Sequence, residues 1–360
     1  MLAEKLFRVN NFDLIRLIAA LQVAIYHLLA HLKIGHTSSI ILNILSYFPG
    51  VPIFFFVSGF LISKSYENNS LIKEYASNRI LRIYPALIIC TFVTLLSVYL
   101  TGYFENRDFS TMKFVLWVAS QISFFQFYNP DFMREFGTGV MNGSLWTISV
   151  ELQFYFMVPL LYYIFRLAKP NNKNRKLLIL IFIFMLFHVG KYILNDTSEN
   201  NIIFKLFGVS FIPWIWMFLV GVLFQKNFVT LHKILSGKVL YILACYLIIL
   251  FYSTKYLGWR LGNGINPVLY ILLAVLLFSF AYSFPLLSQK LLKRNDISYG
   301  VYIYHIPVVN LLIYYGYTGK TLYLFIAIIV TIFLAGLSWI IIEKNSMKLK
   351  KHPMKPLRTY

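Results

Sequence analysis

"RLIAALQVAIYH", residues 16–27, sets an arginine and a histidine at the two ends of an apolar run. The apolar stretch extends over about 12–31, a length that crosses roughly 30 Å of hydrocarbon. An ionisable side chain at the bilayer centre costs on the order of 3 kcal/mol, so it turns toward a bundle interior, where it has a task. Arg16 and His27 are eleven residues apart. On a helix they are rotated by only about 20° and separated by about 16 Å along the axis. One helix face thus carries a permanent cation near one end and a titratable base near the other.

The rest of the chain has the same character. Its 360 residues are 59% hydrophobic, 18% aromatic and only 13% charged. A soluble domain carries roughly 25% charge. Ten apolar segments recur, at about 12–31, 47–65, 80–101, 145–165, 177–194, 208–225, 238–255, 266–287, 297–316 and 321–343. A shorter one, about 114–128, lies in the longest loop and reads as interfacial or re-entrant. The fold class is therefore all-α: a polytopic membrane bundle of about ten helices, one membrane-embedded domain over 1–360, with a core at 12–343 and a short basic tail at 344–360. The first run contains Arg16 and precedes no small-residue cleavage site, so it is expected to be retained as a span.

The formal net charge of +20 suggests nucleic acid until its distribution is followed. With the N-terminus inside and ten spans, 23 of the 33 cations fall in cytoplasmic segments and nine in external ones. That bias places both termini in the cytoplasm and makes the charge a topology signal and a contact with anionic lipid. Nucleic-acid binding is set aside. Cys90 and Cys245 lie inside apolar runs, where a thiol packs as a small hydrophobe, and no metal-ligand spacing is present.

Four places carry candidate chemistry. Arg16 either snorkels and pairs with Asp13 at i−3 or serves a ligand. His27 is either a packing residue or a base. In "NGSLWTISVELQFYFMVP" (142–159), Glu151 lies about 9 Å below the outer surface, near the depth of His27. A carboxylate there orients an imidazole and raises its basicity, or forms a structural buried pair. In "RILRIYPAL" (79–87), Arg79 and Arg82 share one helix face; they read as inside anchors or, with Arg16, Lys64 and Lys73, as the lining of a cytoplasmic opening suited to a polyphosphate. His305 in "ISYGVYIYH" (297–305) reads equally as packing or cavity lining, and Ser58–Gly59 in "FFFVSGFLI" (54–62) as a close helix contact. His31, His36, His232 and His352 read as peripheral, His188 and Lys191 as boundary residues.

These pieces, in this order, resemble the acyltransferase-3 family of integral-membrane enzymes that O-acylate bacterial surface carbohydrates. The resemblance rests on Asp13-Leu-Ile-Arg16 and His27, "FFFVSGF", "RILRIYP", "GSLWTISVE", "ISYGVYIYH" and Glu343, and covers about 12–343. It implies a stand-alone enzyme of the cytoplasmic (inner) membrane, without a fused esterase-like domain, that moves an acyl group, typically acetyl, from cytoplasmic acyl-CoA to a hydroxyl of a glycan such as O-antigen, capsule or exopolysaccharide. The acceptor is either lipid-linked or finished polymer. Carried onto this chain, the catalytic residues are His27 and Glu151 and the donor-binding cations are Arg16, Arg79 and Arg82; apart from the resemblance, Trp146 reads as a ring stacked on a sugar face or as an interfacial tryptophan, and His305, if it lines the cavity, as a substrate contact. His27 either activates the hydroxyl or takes the acyl group transiently. The sequence departs from the family at Glu343-Lys344-Asn345, where Glu-Arg-Pro is frequent, so Glu343 receives no catalytic role. The rival reading is a proton-coupled or lipid-linked-sugar transporter in which His27 and Glu151 relay protons.

Overall fold

In the computed structural model, residues 6–34, 37–105, 107–168, 173–198, 201–284, 286–293 and 295–350 are described. Lys5, His36, Lys169, Arg294, His352 and the tail beyond residue 350, which entered the charge and histidine readings, lie outside them. In chain order the helices are α1 (Phe12–His31), α2 (Thr37–Ser46), α3 (Gly50–Asn68), α4 (Ile72–Leu100), α5 (Thr111–Gln121), α6 (Trp146–Phe165), α7 (Lys173–Ser198) and α8 (Ile202–Gly208). They continue as α9 (Ile215–Lys226), α10 (Phe228–Leu235), α11 (Val239–Tyr256), α12 (Pro267–Ser283), α13 (Leu287–Leu292), α14 (Ser298–Tyr314), α15 (Thr321–Ser338) and α16 (Lys344–Lys348), with a π-helical turn Trp339–Glu343 joining the last two. No strand occurs among the described residues.

Each expected span falls on a helix. Among the described residues seven helices are long and apolar enough to cross a membrane, or eight if a bent pair counts as one span. The bent pair is α9 and α10, which turn by 85° at Asn227. The expected span at 208–225 starts late, after Pro213, and α9 alone has 12 residues, about 18 Å of rise. Helices α12 and α14 have 17 residues each. In the interval before α3 the structure adds α2, and Pro49 separates the two. Helix α5 has 11 residues, too short to cross, which agrees with the interfacial reading of that segment. Several helices bury little of themselves: in the most apolar windows of α7 and α11 only 22% of residues are buried. Ile179, Phe182, Ile183 and Leu186 on α7 stand exposed. An apolar surface of that extent needs lipid as its solvent. The protein is a polytopic all-α membrane protein.

The chain divides into two compact units, each assembled from three separate stretches. The first comprises 1–19, 45–70 and 154–296. At its centre α3 and α9 cross closely: a Cβ at Gly59 would lie 1.9 Å from the Phe218 carbonyl oxygen, and one at Gly221 would lie 2.2 Å from that of Phe56. Glycine lets the backbones touch, as the Ser58–Gly59 reading expected. Phe56, Phe60, Phe218 and Phe278 fill the space around the crossing. A polar network closes one end: Lys226 pairs with Glu67, Gln225 Nε2 donates to Glu67 at 2.9 Å, and Ser63 Oγ donates to Gln225 at 2.9 Å.

The second unit comprises 20–44, 71–153 and 297–360. Helices α14 and α15 meet where Gly300 abuts Ala335; a Cβ on Gly300 would lie 2.7 Å from the Ala335 Cα. The long loop packs with the end of α4 in one apolar cluster, in which Trp117, Tyr103, Met133, Phe136 and Met141 join Val98. Arg107 lies over the Tyr103 ring at 4.2 Å and pairs with Glu135. Burial raises the Tyr103 phenol above its ordinary value, and Arg107 opposes that rise.

Candidate active site

The second unit holds His27 and His305. His27 Nδ1 lies 2.9 Å from His305 Nε2, and the two rings are stacked with centroids 5.2 Å apart. His27 is half-buried, whereas His305 is fully buried. His305 Nδ1 in turn lies 3.2 Å from the carbonyl oxygen of Val301, one turn earlier on α14. His31, one turn beyond His27 on α1, brings its ring to 5.9 Å from His27. The i, i+4 spacing of His27 and His31 was visible in the sequence and places both on one face.

Helix α14 is held in place by the segment that leads into α6. Pro307 has no N–H to give the carbonyl four residues back, so Ile303 loses its helical partner. That carbonyl accepts from Asn142 Nδ2 at 2.7 Å and from Cys90 Sγ at 3.4 Å. Ser144 Oγ donates to the Tyr302 carbonyl at 3.2 Å, and Thr147 Oγ1 meets the Tyr302 hydroxyl at 2.5 Å. Asn310, fully buried, accepts from Thr138 N at 2.8 Å and donates to the carbonyls of Val140 and Met141 at 2.8 and 3.0 Å. The "NGSLWT" motif is thus a clamp on the helix that carries His305.

Glu151 lies one turn after Thr147 on α6, so the two share a face. The Tyr302 ring centroid is 5.9 Å from that of His305. Among the described residues, the hydrogen-bond partner of His27 is His305, a pairing that the common depth of His27 and Glu151 did not indicate. Trp146 is half-buried at the start of α6.

The cations are distributed as follows. In the first unit, Arg16 Nη2 donates to Asp13 at 2.5 Å and to Asp296 at 2.8 Å. The i−3 pairing with Asp13 was legible; Asp296 was not. Both contacts use one nitrogen. Arg16 Nε is buried with no hydrogen-bond partner among the described residues. In the second unit, Arg79 lies over the Tyr75 ring at 5.9 Å and Arg82 Nη1 approaches Met347 Sδ at 3.1 Å. Glu343, at the end of the π-helical turn, is buried and accepts from Ser338 Oγ at 3.1 Å. No group of three His, Cys, Asp or Glu side chains suited to a metal ion occurs among the described residues.

Comparison with known proteins covers the chain almost end to end. A family profile described as an acyltransferase domain matches residues 9–342. The chain is 33% identical over 357 residues to nodulation protein 10 of Rhizobium leguminosarum bv. viciae, covering 95% of this chain and 94% of that one. It is 29% identical over 348 residues to the O-acetyl transferase of Shigella phage Sf6, covering 93% and 95% respectively. The peptidoglycan O-acetyltransferase OatA of Listeria monocytogenes is 25% identical over 326 residues, which are 84% of this chain and 50% of that one. No solved structure matches.

Proposed function

We propose, from the premise that this chain belongs to the acyltransferase-3 family, that it moves an acetyl group from cytoplasmic acetyl-CoA to a hydroxyl of a cell-surface glycan. It is a multi-pass membrane O-acyltransferase; the inner membrane, the CoA donor and cytoplasmic termini belong to the proposal. The names of the relatives support the reading: O-acetyl transferase the acetyl group, and peptidoglycan O-acetyltransferase a glycan acceptor. The observation that carries the reading is His27, a half-buried histidine on a membrane helix with one ring nitrogen already engaged.

In the step proposed, His27 Nε2 takes the proton of the acceptor hydroxyl as its oxygen attacks the thioester carbonyl carbon. The carbon–sulfur bond breaks and CoA leaves as a thiolate, which recovers the proton from the imidazolium. The products are the O-acyl glycan and CoA-SH. A two-step route, with the acyl group first on His27, starts at the same atom. Glu151 is assigned as the second catalytic residue, on the face of α6 that it shares with Thr147, whose Oγ1 meets the Tyr302 hydroxyl. Arg16, Arg79 and Arg82 are each assigned to the CoA phosphates; for Arg16 a buried Nε that has no hydrogen-bond partner among the described residues supports that role. Trp146 is assigned to the face of the sugar.

The test uses membrane vesicles carrying the full chain, radiolabelled acetyl-CoA and the surface polysaccharide of the producing cell. Label should enter the polysaccharide, and His27→Ala should abolish its entry while the protein stays folded. A sugar flux across the vesicle with no label leaving CoA would replace the enzyme by a transporter.

A further inference from the structure

We propose that His305 is a positioning residue that fixes the tautomer of His27, so that the lone pair of His27 is held on Nε2. This rests on the acyl-transfer reading for its catalytic consequence, but its geometry stands apart from it.

Hydrogen-bond roles are linked along one chain of atoms, from the Val301 carbonyl through His305 to His27. A carbonyl oxygen can only accept, so the 3.2 Å contact between His305 Nδ1 and the Val301 oxygen requires the proton on His305 Nδ1. In a neutral imidazole the other nitrogen then has the lone pair, so His305 Nε2 is an acceptor. The 2.9 Å contact with His27 Nδ1 is therefore a bond that His27 donates. With its Nδ1 protonated, neutral His27 carries its lone pair on Nε2. One backbone carbonyl on α14 thus sets the protonation pattern of a ring on α1.

The reverse pattern fails at the same points. If His27 held its proton on Nε2, two lone pairs would face each other across 2.9 Å. Turning His305 over to supply a donor would set its lone pair against the Val301 oxygen, a loss made costly by its complete burial. A proton arriving on the pair, in contrast, lands on His27 Nε2 and disturbs neither bond. The bond from His27 to His305 then becomes charge-assisted and steadies the imidazolium. A neutral imidazole is a milder acceptor than a carboxylate, so the proton is held loosely enough to pass to the leaving thiolate. The full burial of His305 also fits this role better than the substrate contact weighed from the sequence.

Two measurements test the relation. The full-length protein in lipid nanodiscs, labelled with ring-15N histidine, reports which nitrogen of His27 is protonated, with His27→Gln assigning the signal. Wild type should show a protonated Nδ1 and a bare Nε2, and His305→Phe should lose that preference. In the acetyl-transfer assay, His305→Phe should lower kcat, by at most the about 10²–10⁴-fold that a positioned general base supplies, with KM for acetyl-CoA unchanged within about twofold. His305→Gln restores an acceptor oxygen, and it should recover most of that loss. A wild-type His27 protonated on Nε2 overturns the proposal. So does a folded His305→Phe protein with wild-type kcat, or a Gln variant no better than Phe. If the Phe variant does not fold, the wild-type spectrum decides alone. Failure of wild type to move label from acetyl-CoA would sink the acyltransferase reading, and the spectrum would still decide the His27–His305 relation.

Discussion

Asp296 lies 2.8 Å from Arg16 across 280 residues of sequence, and with Asp13 it holds that guanidinium between two carboxylates. The Asp296 side chain is 8% exposed. Removing the guanidinium takes a charged partner from a buried carboxylate, which costs stability. Arg16→Ala should therefore lower the thermal midpoint in detergent, and the double variant Arg16→Ala/Asp296→Asn should regain most of it. Activity separates the two roles of Arg16. If its remaining donors hold a CoA phosphate, the double variant stays stable with a raised KM for acetyl-CoA. Recovery of KM along with stability would leave Arg16 a structural residue only.

Glu151→Gln keeps the shape of the side chain and removes its charge. With Glu151 in the proposed catalytic pair with His27, kcat should fall by about 10- to 100-fold, within the reach of one group acting on a general base. The donor KM should be unaffected. Thr147→Val should cost much less, since the Tyr302 hydroxyl keeps a second partner, the Ser144 carbonyl, at 3.3 Å. Equal losses in the two variants would mean that the Tyr302 hydrogen bond, and not the Glu151 charge, is what matters. Steady-state rates of label transfer decide between them.

Asn142→Ala takes from Ile303 the side-chain amide that replaces the helical bond lost at Pro307. An unsatisfied buried carbonyl costs about 1–3 kcal/mol, and Cys90 Sγ at 3.4 Å is a weak substitute. The thermal midpoint should drop accordingly. Because the freed carbonyl lies two residues from His305, kcat should fall as well. Pairing the change with Pro307→Ala returns an N–H to Ile303 and should restore stability. If the pair of changes leaves stability as low as Asn142→Ala alone, the carbonyl is not the point of damage.

The local features of this fold could be read along the chain, and the distant ones could not. Apolar runs of bilayer length located the helices because lipid demands that each satisfy its own backbone. Arg16 with Asp13 was legible for the same reason, being one turn apart. Two pairings join distant segments: within the second unit His305 is 278 residues from His27, and within the first Asp296 is 280 from Arg16. Nothing in a single segment encodes such a pairing. A lone histidine in an apolar helix looks the same whether it packs, touches substrate or orients another ring. The 85° break at Asn227 was hidden too, because α9 and α10 are both apolar and mean hydropathy does not sense direction.

The crossing of α3 and α9 gives a test of the fold that needs no assay. A methyl group at Gly59 would stand 1.9 Å from the Phe218 carbonyl oxygen, a backbone atom that cannot rotate aside. Relief requires the helices to part, and overpacking of this kind costs about 1–3 kcal/mol or more. Gly59→Ala should therefore reduce the yield of monodisperse protein in detergent and lower its melting temperature by several degrees. Gly190 on α7 is the control, since a Cβ there would meet nothing within 4 Å. Gly190→Ala should match or slightly exceed wild type, alanine being the better helix former by about 0.8–1 kcal/mol. If both variants behave alike, α3 and α9 do not make the close contact described, and the core of the first unit is built differently.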